Sequence, residues 1–283
     1  LKTFNKHIIV AGSARSGTSW LAEIIGLQHR YRLLFEPEHE FQTQEGYLIC
    51  DKFISQDILQ KDQEEYFRRV FSNKVDSDWI AQISNRKLKM HLWPIIPKKY
   101  VIKFVRCNLS VHFINTYFKI PVLFIMRNPY DVVLSQNRVQ FSWLYNLNHF
   151  KHQKPITKVL KTNYNFNWEE ANNYTAIEKL TLRWCIENKV VFDLNPLNTS
   201  KIKIVRYETL IADINLFYDI CRSYNLKPLS NIEDVYRRPS SKTHPKSPIK
   251  NGKQFKTNGD NQALEQIQNI LNRFEVAEYN YLK

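Results

Sequence analysis

The stretch "VAGSARSGTSWLAEII", residues 10–25, limits what this chain can fold into more than any other part of it. An apolar run ends at Gly12, a polar turn leads to Gly17, and apolar residues then recur at helical spacing from Trp20. A strand that turns through glycine into a helix aims main-chain N–H groups at one point, and the helix dipole favours an anion there. Gly12 and Gly17 stand where a Walker loop, GxxxxGK[ST], places its glycines, but Thr18 and Ser19 come next and the lysine is missing. Arg15 lies inside the loop instead, a planar cation suited to phosphate or sulfate oxygens. Ser16, Thr18 and Ser19 add hydroxyl donors. The plainer reading is a strand–turn–helix junction with a Ser/Thr cap and no ligand; strand, loop and helix in this order favour an anion site.

Four further apolar runs read as buried strands: residues 32–37, 101–106, 122–127 and 201–208. Helical spacing recurs over 57–71, 174–194 and 262–275. Alternating strands and helices with a glycine turn after the first strand predict an α/β fold, a P-loop-like doubly wound sheet of about five mostly parallel strands flanked by helices. In such sheets ligands bind beyond the carboxyl ends of the strands. Residues 140–170, rich in Tyr, Phe, Trp and Asn, read as an irregular aromatic insertion, and the Pro/Ser/Lys/Gly-rich residues 239–260 as a long basic loop. The division expected is one domain over 1–283 with a variable acceptor-side insertion.

A second candidate site is "FIMRNPYDVVLSQ", residues 124–136. A strand ending at Arg127 is followed by Pro129 and Asp131, both suited to the first turn of a helix. Arg127 and Ser135 are then expected beside the first loop, an arginine and a hydroxyl fit to clamp a second phosphate. Taken alone, this is equally a capped strand–helix turn with an exposed arginine.

Together the two segments resemble the nucleotide-binding signatures of the sulfotransferase family, enzymes that use 3′-phosphoadenosine 5′-phosphosulfate. The family's 5′-phosphosulfate loop is similar to [KR]SGTxW, here Arg15-Ser16-Gly17-Thr18-Ser19-Trp20, and its 3′-phosphate segment looks like RNPxDxxxS, here Arg127 through Ser135. "RYETL" at 206–210 resembles the family's YE-containing strand end. The resemblance implies Arg15 as the cation on the leaving phosphate, Trp20 near the adenine, Tyr207 near the donor's base, and no metal. A donor without a γ-phosphate also explains why no Walker lysine is present. Arginine in the loop and "FEP" at 35–37 look like the carbohydrate sulfotransferases, so the acceptor expected is a glycan or glycolipid hydroxyl.

In-line sulfuryl transfer needs a base for the hydroxyl proton, a cation on the leaving group and two aligned reactants. Glu36, at the end of a strand expected to neighbour the phosphate loop, is the candidate base; pairing with an arginine such as Arg32 is its structural alternative. His39 is the alternative base. His91 and His112 lack supporting context, and Arg183 and Trp184 read as helix packing. Other functions stay open at this stage: sulfation of a small alcohol or phenol, a P-loop kinase or NTPase, or a polyanion-binding protein. The missing lysine and the lack of a Walker-B-like strand ending in Asp count against the kinase.

A net charge of +14 favours an anionic partner. No zinc finger, basic helix or RNP-type motif accompanies the scattered cations, so nucleic acid is not expected. Four cysteines without metal spacing fit a reducing compartment and a cytoplasmic expectation. No apolar run approaches the ~18 residues of a membrane span. A first residue of Leu rather than Met keeps an upstream anchor compatible with the sequence.

Overall fold

Five parallel strands in the order β2-β3-β1-β4-β5 form the frame of the molecule. The computed structural model describes residues 4–28, 30–82, 99–195, 201–243 and 260–279. The first half of the chain runs β1 (Ile8–Ala11), α1 (Thr18–Gly26), β2 (Tyr31–Phe35), α2 (Lys61–Phe71), α3 (Asp78–Ala81), β3 (Lys99–Phe104) and α4 (Val111–Tyr117). It continues with β4 (Val122–Met126), α5 (Pro129–Val139), α6 (Asn148–Lys151), α7 (Lys154–Tyr164) and α8 (Ala176–Cys185). A π-helical turn (Ile186–Val190) joins α8 to α9 (Val191–Leu194). Then follow β5 (Ile202–Arg206), α10 (Tyr207–Ala212), α11 (Ile214–Tyr224), α12 (Ile232–Tyr236) and α13 (Asn261–Arg273).

Parallel strands are apolar on both faces because helices cover both, and β1 shows how the side chains divide. Ile8 and Val10 enter a core built with α1, α11 and α12, through Leu21, Ile25, Phe217 and Ile232. Ile9 and Ala11 point the other way, into the larger core with α2, α4, α5, α8 and α13. Ile9 sits opposite Ile102 of β3 and Val122 of β4, so β1 is sealed on both edges as well. All five predicted strands are present.

Three sequence expectations change. The strand before Glu36 does not neighbour the strand of the phosphate loop, because β3 is inserted between β2 and β1. The region read as an irregular insertion contains an 11-residue helix, α7, whose Ile156, Leu160 and Tyr164 recur every four residues and are buried. Its Phe150, Phe166 and Trp168 belong to the core, so their aromatic character reflects packing. Most of the basic loop, residues 244–259, and His91 lie outside the described residues.

Connections leaving β1 and β4 run to opposite sides of the sheet order, which opens a crevice at their carboxyl ends. Gly12 lies at its floor. A Cβ there would collide with the carbonyl oxygen of Ile125, the next-to-last residue of β4. Gly12→Ala is expected to cost about 3 kcal/mol by forcing these backbones apart. Urea unfolding checks this; a loss below about 1 kcal/mol would show that β4 yields easily at this point.

Candidate active site

The loop after β1 is held from three sides and left open on the fourth. Asn108 accepts the Gly12 N–H at 3.0 Å, Gln136 of α5 donates to the Ala14 carbonyl at 2.9 Å, and Arg127 donates to the Arg15 carbonyl at 3.2 Å. Arg15 Nε donates to Ser135 Oγ at 3.1 Å, so the two motifs meet as the sequence predicts. Gly17 has φ 92°, and a Cβ on it would enter the ring of Tyr207. Only glycine fits both demands.

The helix start is chemically bare. Several helices carry side-chain caps: Asn128 accepts from Tyr130 N on α5, Thr175 forms a capping box with Glu178 on α8, and Asp260 accepts from Ala263 N on α13. At α1, Gly17 offers no side-chain cap and the first turn has no acidic residue. The Ser16 hydroxyl, fully buried, has no hydrogen-bond partner. Around this open terminus the guanidinium groups gather. The Arg15 pKa is lowered by burial and by the charges of Arg127 and Arg138. Arg127 stacks 4.6 Å over Tyr207 and lies 3.5 Å from Asp131. An anion with more than one negative charge relieves this repulsion and fills the bare helix end, so the residues fit a phosphosulfate group.

A cleft of about 810 Å³ extends from this loop to the acidic segment after β2. Its walls include Arg15, Gly17, Thr18, Ser19, Trp20, Arg127, Ser135 and Tyr207 on one side and Glu36 and His39 on the other. Every candidate residue lines it except Ser16, which is buried behind the loop. Trp20 presents only part of its surface: its Nε1 donates to the Tyr236 carbonyl at 3.1 Å, and its ring meets Tyr207 and Tyr236 edge-on.

Glu36 pairs with Lys103, the residue of β3 level with Phe35, and not with Arg32. The Lys103 Nζ lies 4.2 Å over the Phe35 ring and its side chain is almost entirely buried. Two residues on, Glu38 is fully buried and accepts the N–H groups of Val105 and Arg106 at 2.7 and 2.9 Å. Burial and the charge of Glu36 push its pKa up to about 7 against those two amides. His39 accepts the Phe41 N–H on Nδ1 at 3.3 Å and meets Trp79 edge-on. Burial lowers its pKa, with Arg106 acting the same way, so its ring is neutral near pH 7.

Lys103 and Glu38 are site residues that the sequence reading missed. A lysine inside the apolar run "YVIKFV" was a signal, since lysine in a buried strand needs a partner. Arg237, Arg238 and Lys242 also line the cleft, from the segment after α12. Among the described residues, no group of His, Cys, Asp and Glu is arranged to hold a metal ion, and no helix is long and apolar enough to cross a membrane.

The profile of the sulfotransferase domain family matches residues 5–217, three quarters of the chain and both motifs. The chain belongs to the sulfotransferase domain family. It is an enzyme of sulfuryl transfer, and its donor is the 3′-phosphoadenosine 5′-phosphosulfate that the family uses. No curated protein sequence matches this sulfotransferase. Among solved structures it is similar to the sulfotransferase domain from the curacin biosynthetic pathway, with 14% identity, 84% of this chain and 80% of that one covered, and a TM-score of 0.45. A sulfotransferase from Alicyclobacillus acidocaldarius is 12% identical over 98% of this chain and 95% of the other, with a TM-score of 0.44. Mouse sulfotransferase SULT7A1 complexed with PAP is 12% identical over 85% of this chain and 66% of the other, with a TM-score of 0.39.

The bare helix end carries a direct expectation. Millimolar inorganic sulfate should raise the thermal midpoint more than chloride at equal ionic strength, by about 2 °C or more, and Arg15→Ala should remove the difference. Equal effects of the two salts would mean that the guanidinium cluster acts only as general surface charge.

Proposed function

We propose that this enzyme transfers the sulfuryl group to a hydroxyl of a carbohydrate or glycolipid, with Glu36 as the base and Arg15 as the cation on the leaving phosphate. The observation that carries this reading is the position of the two groups on the sheet. Glu36 leaves the end of β2 and Arg15 follows β1, one strand apart across β3. Two inter-strand spacings place those strand ends roughly 10 Å apart. That distance leaves room for one sulfuryl group and one hydroxyl in line between a proton acceptor and a cation. Lys103, on the intervening strand, holds the Glu36 carboxylate and puts a second positive charge at the centre of the line.

Each residue then has a task. Arg15, Ser16, Thr18, Ser19 and the loop N–H groups take the 5′-phosphosulfate. Arg127 and Ser135 take the 3′-phosphate, with Arg237 and Arg238 on the opposite wall. Trp20 and Tyr207 border the nucleoside. Glu36 accepts the hydroxyl proton as the oxygen attacks sulfur and the bridging bond to phosphate breaks; Arg15 balances the charge that develops there. His39 is the weaker choice, because its Nδ1 already accepts an amide proton and its Nε2 carries the remaining hydrogen of the neutral ring.

On the Glu36 side the cleft is faced with rings: Phe35, Trp79, Phe141 and Trp143. Phe141 stacks on Trp143, with centroids 6.4 Å apart and planes inclined by 12°, and remains 40% exposed at the mouth. Flat aromatic surfaces suit the C–H faces of a sugar, with polar groups at the edges to fix its hydroxyls.

Calorimetric titration tests the donor site. Adenosine 3′,5′-bisphosphate should bind at least about tenfold more tightly than ADP or ATP–Mg, and Arg127→Ala should cost it about 2 kcal/mol while changing ADP binding little. Equal loss for both nucleotides would remove the 3′-phosphate assignment of Arg127. For the chemistry, Glu36→Gln should lower kcat by about 10²–10⁴-fold with the bisphosphate affinity kept. The acceptor assay compares methyl β-galactoside, a galactosyl lipid in micelles and 4-nitrophenol; transfer to 4-nitrophenol alone would replace the sugar reading with a phenol.

A further inference from the structure

A chain of almost entirely buried charged side chains runs beneath the donor loop to the wall of the cleft. It starts at Ser13, the second residue after β1. Asn188 Nδ2 donates to Ser13 Oγ at 2.6 Å, and the Ser13 hydroxyl faces the Glu187 carboxylate. Glu187 meets Arg183 Nε at 2.8 Å; Arg183 Nη2 meets Asp51 at 2.6 Å; Asp51 receives Arg106 through Nε and Nη2 at 2.9 and 2.7 Å. Arg106 Nη1 then reaches Glu40 at 2.8 Å, and its N–H holds Glu38. Glu38 and Glu40 belong to the short loop that carries Glu36 and His39. The side chains of Arg106, Asp51, Arg183 and Glu187 are at most 3% exposed.

Three features set this chain apart from ordinary packing. First, buried ion networks are seldom worth more than well-packed apolar residues of the same volume, so stability alone does not account for two arginines and two carboxylates here. Second, the segment that carries Glu187 and Asn188 is the π-helical turn. Such turns are rare and recur at functional sites, and the wider turn lets two successive side chains reach the same hydroxyl of Ser13. Third, Asp51 has φ 52°, a conformation that a non-glycine residue adopts at a cost, and its N–H donates to the Arg106 carbonyl. Trp143 packs over both guanidinium groups, 4.6 Å from that of Arg106 and 4.9 Å from that of Arg183.

We propose that Glu187 and Arg183 are positioning residues that fix the distance between the donor loop and the proton-accepting loop, through a buried ion-pair chain running from Ser13 to the 36–40 segment. The two loops leave strands that are not neighbours, so no ladder hydrogen bonds run directly between β1 and β2. The sheet alone sets their spacing only through β3. Arg183 reaches one loop's support through Asp51 and the other's through Glu187, four residues along the same helix, and so ties the two together. A shift of about 1 Å between reacting groups is enough to cost on the order of 10²-fold in rate. This proposal rests on the assignment of the base to the 36–40 loop.

The test is a double-mutant cycle on kcat, with the fastest of methyl β-galactoside, the galactosyl lipid and 4-nitrophenol as acceptor. Glu187→Gln keeps the side-chain shape and removes the charge that holds Arg183. Alone it should lower kcat about tenfold, with donor KM and adenosine 3′,5′-bisphosphate affinity within about twofold of the native enzyme. In a Glu36→Gln background the same change should have almost no effect, the pair falling within about threefold of Glu36→Gln alone. Effects that multiply across the cycle overturn the proposal, as does a native kcat for folded Glu187→Gln. A native kcat for Glu36→Gln overturns the base assignment instead, and the cycle is then run against His39→Ala on the same loop. Should Glu187→Gln not fold, Ser13→Ala cuts the chain at its other end and is read by the same criteria.

Discussion

Because all five strands are parallel, every strand ends on the same side of the sheet, and everything chemical in this molecule follows from that constraint. Parallel pairing demands crossovers and helices on both faces, which seals the faces and leaves only the carboxyl-end edge free for binding. The phosphate loop, the acidic loop, Arg127 and Tyr207 are far apart in sequence, at positions 13–19, 36–40, 127 and 207, yet each lies just beyond a strand end. Their meeting in one cleft needs no further device. The order of the strands then decides which groups oppose each other. Placing β3 between β1 and β2 separates Arg15 from Glu36 by one strand and gives Lys103 its central position.

Charge is distributed unevenly over this frame. Two interior cations are matched at close range: Arg183 by Asp51 and Glu187, Arg106 by Asp51 and Glu40. Burial alone would raise the Asp51 carboxyl, but Arg183 and Arg106 hold it below the usual carboxylate range. Around the bare start of α1 the balance is different: Arg15 is crowded by Arg127 and Arg138. The net charge of +14 therefore says little by itself; what matters is that a small part of it converges on a helix end that lacks a cap.

The local patterns were legible in the sequence and most long-range pairings were not. Five apolar runs became five strands because each is governed by its near neighbours along the chain, whereas Arg15, Arg127 and Ser135 met as expected because their two motifs follow adjacent strands, β1 and β4. The partner of Glu36 was open to error, since choosing Lys103 over Arg32 requires knowing that β3 is inserted beside β2. The same holds for Arg183: helix packing is correct for its stem and burial, and Glu187 lies one helical turn on, while its other partner, Asp51, is 132 residues away and beyond the reach of sequence spacing. The aromatic content of 140–170 misled for another reason. Rings serve cores as readily as binding surfaces, and here only Phe141 and Trp143 face the cleft while Phe150, Phe166 and Trp168 are buried.

Three residues of the site and its support, Arg15, Glu36 and Asp51, hold φ angles of 74°, 43° and 52°. In this region of backbone space glycine is at ease and a side chain is not. Glycine would relieve that backbone cost at each position, but at Asp51 it would strand the buried Arg106 and Arg183 guanidinium groups and at Glu36 the buried Lys103 ammonium, a larger loss than the relief. Only at Arg15, crowded by Arg127 and Arg138, do selection for a sturdier protein and selection for a charged cleft pull in opposite directions. A laboratory search for heat-resistant variants of this chain would therefore find glycine attractive at position 15 alone of the three, and in taking it would remove a guanidinium from the bare start of α1.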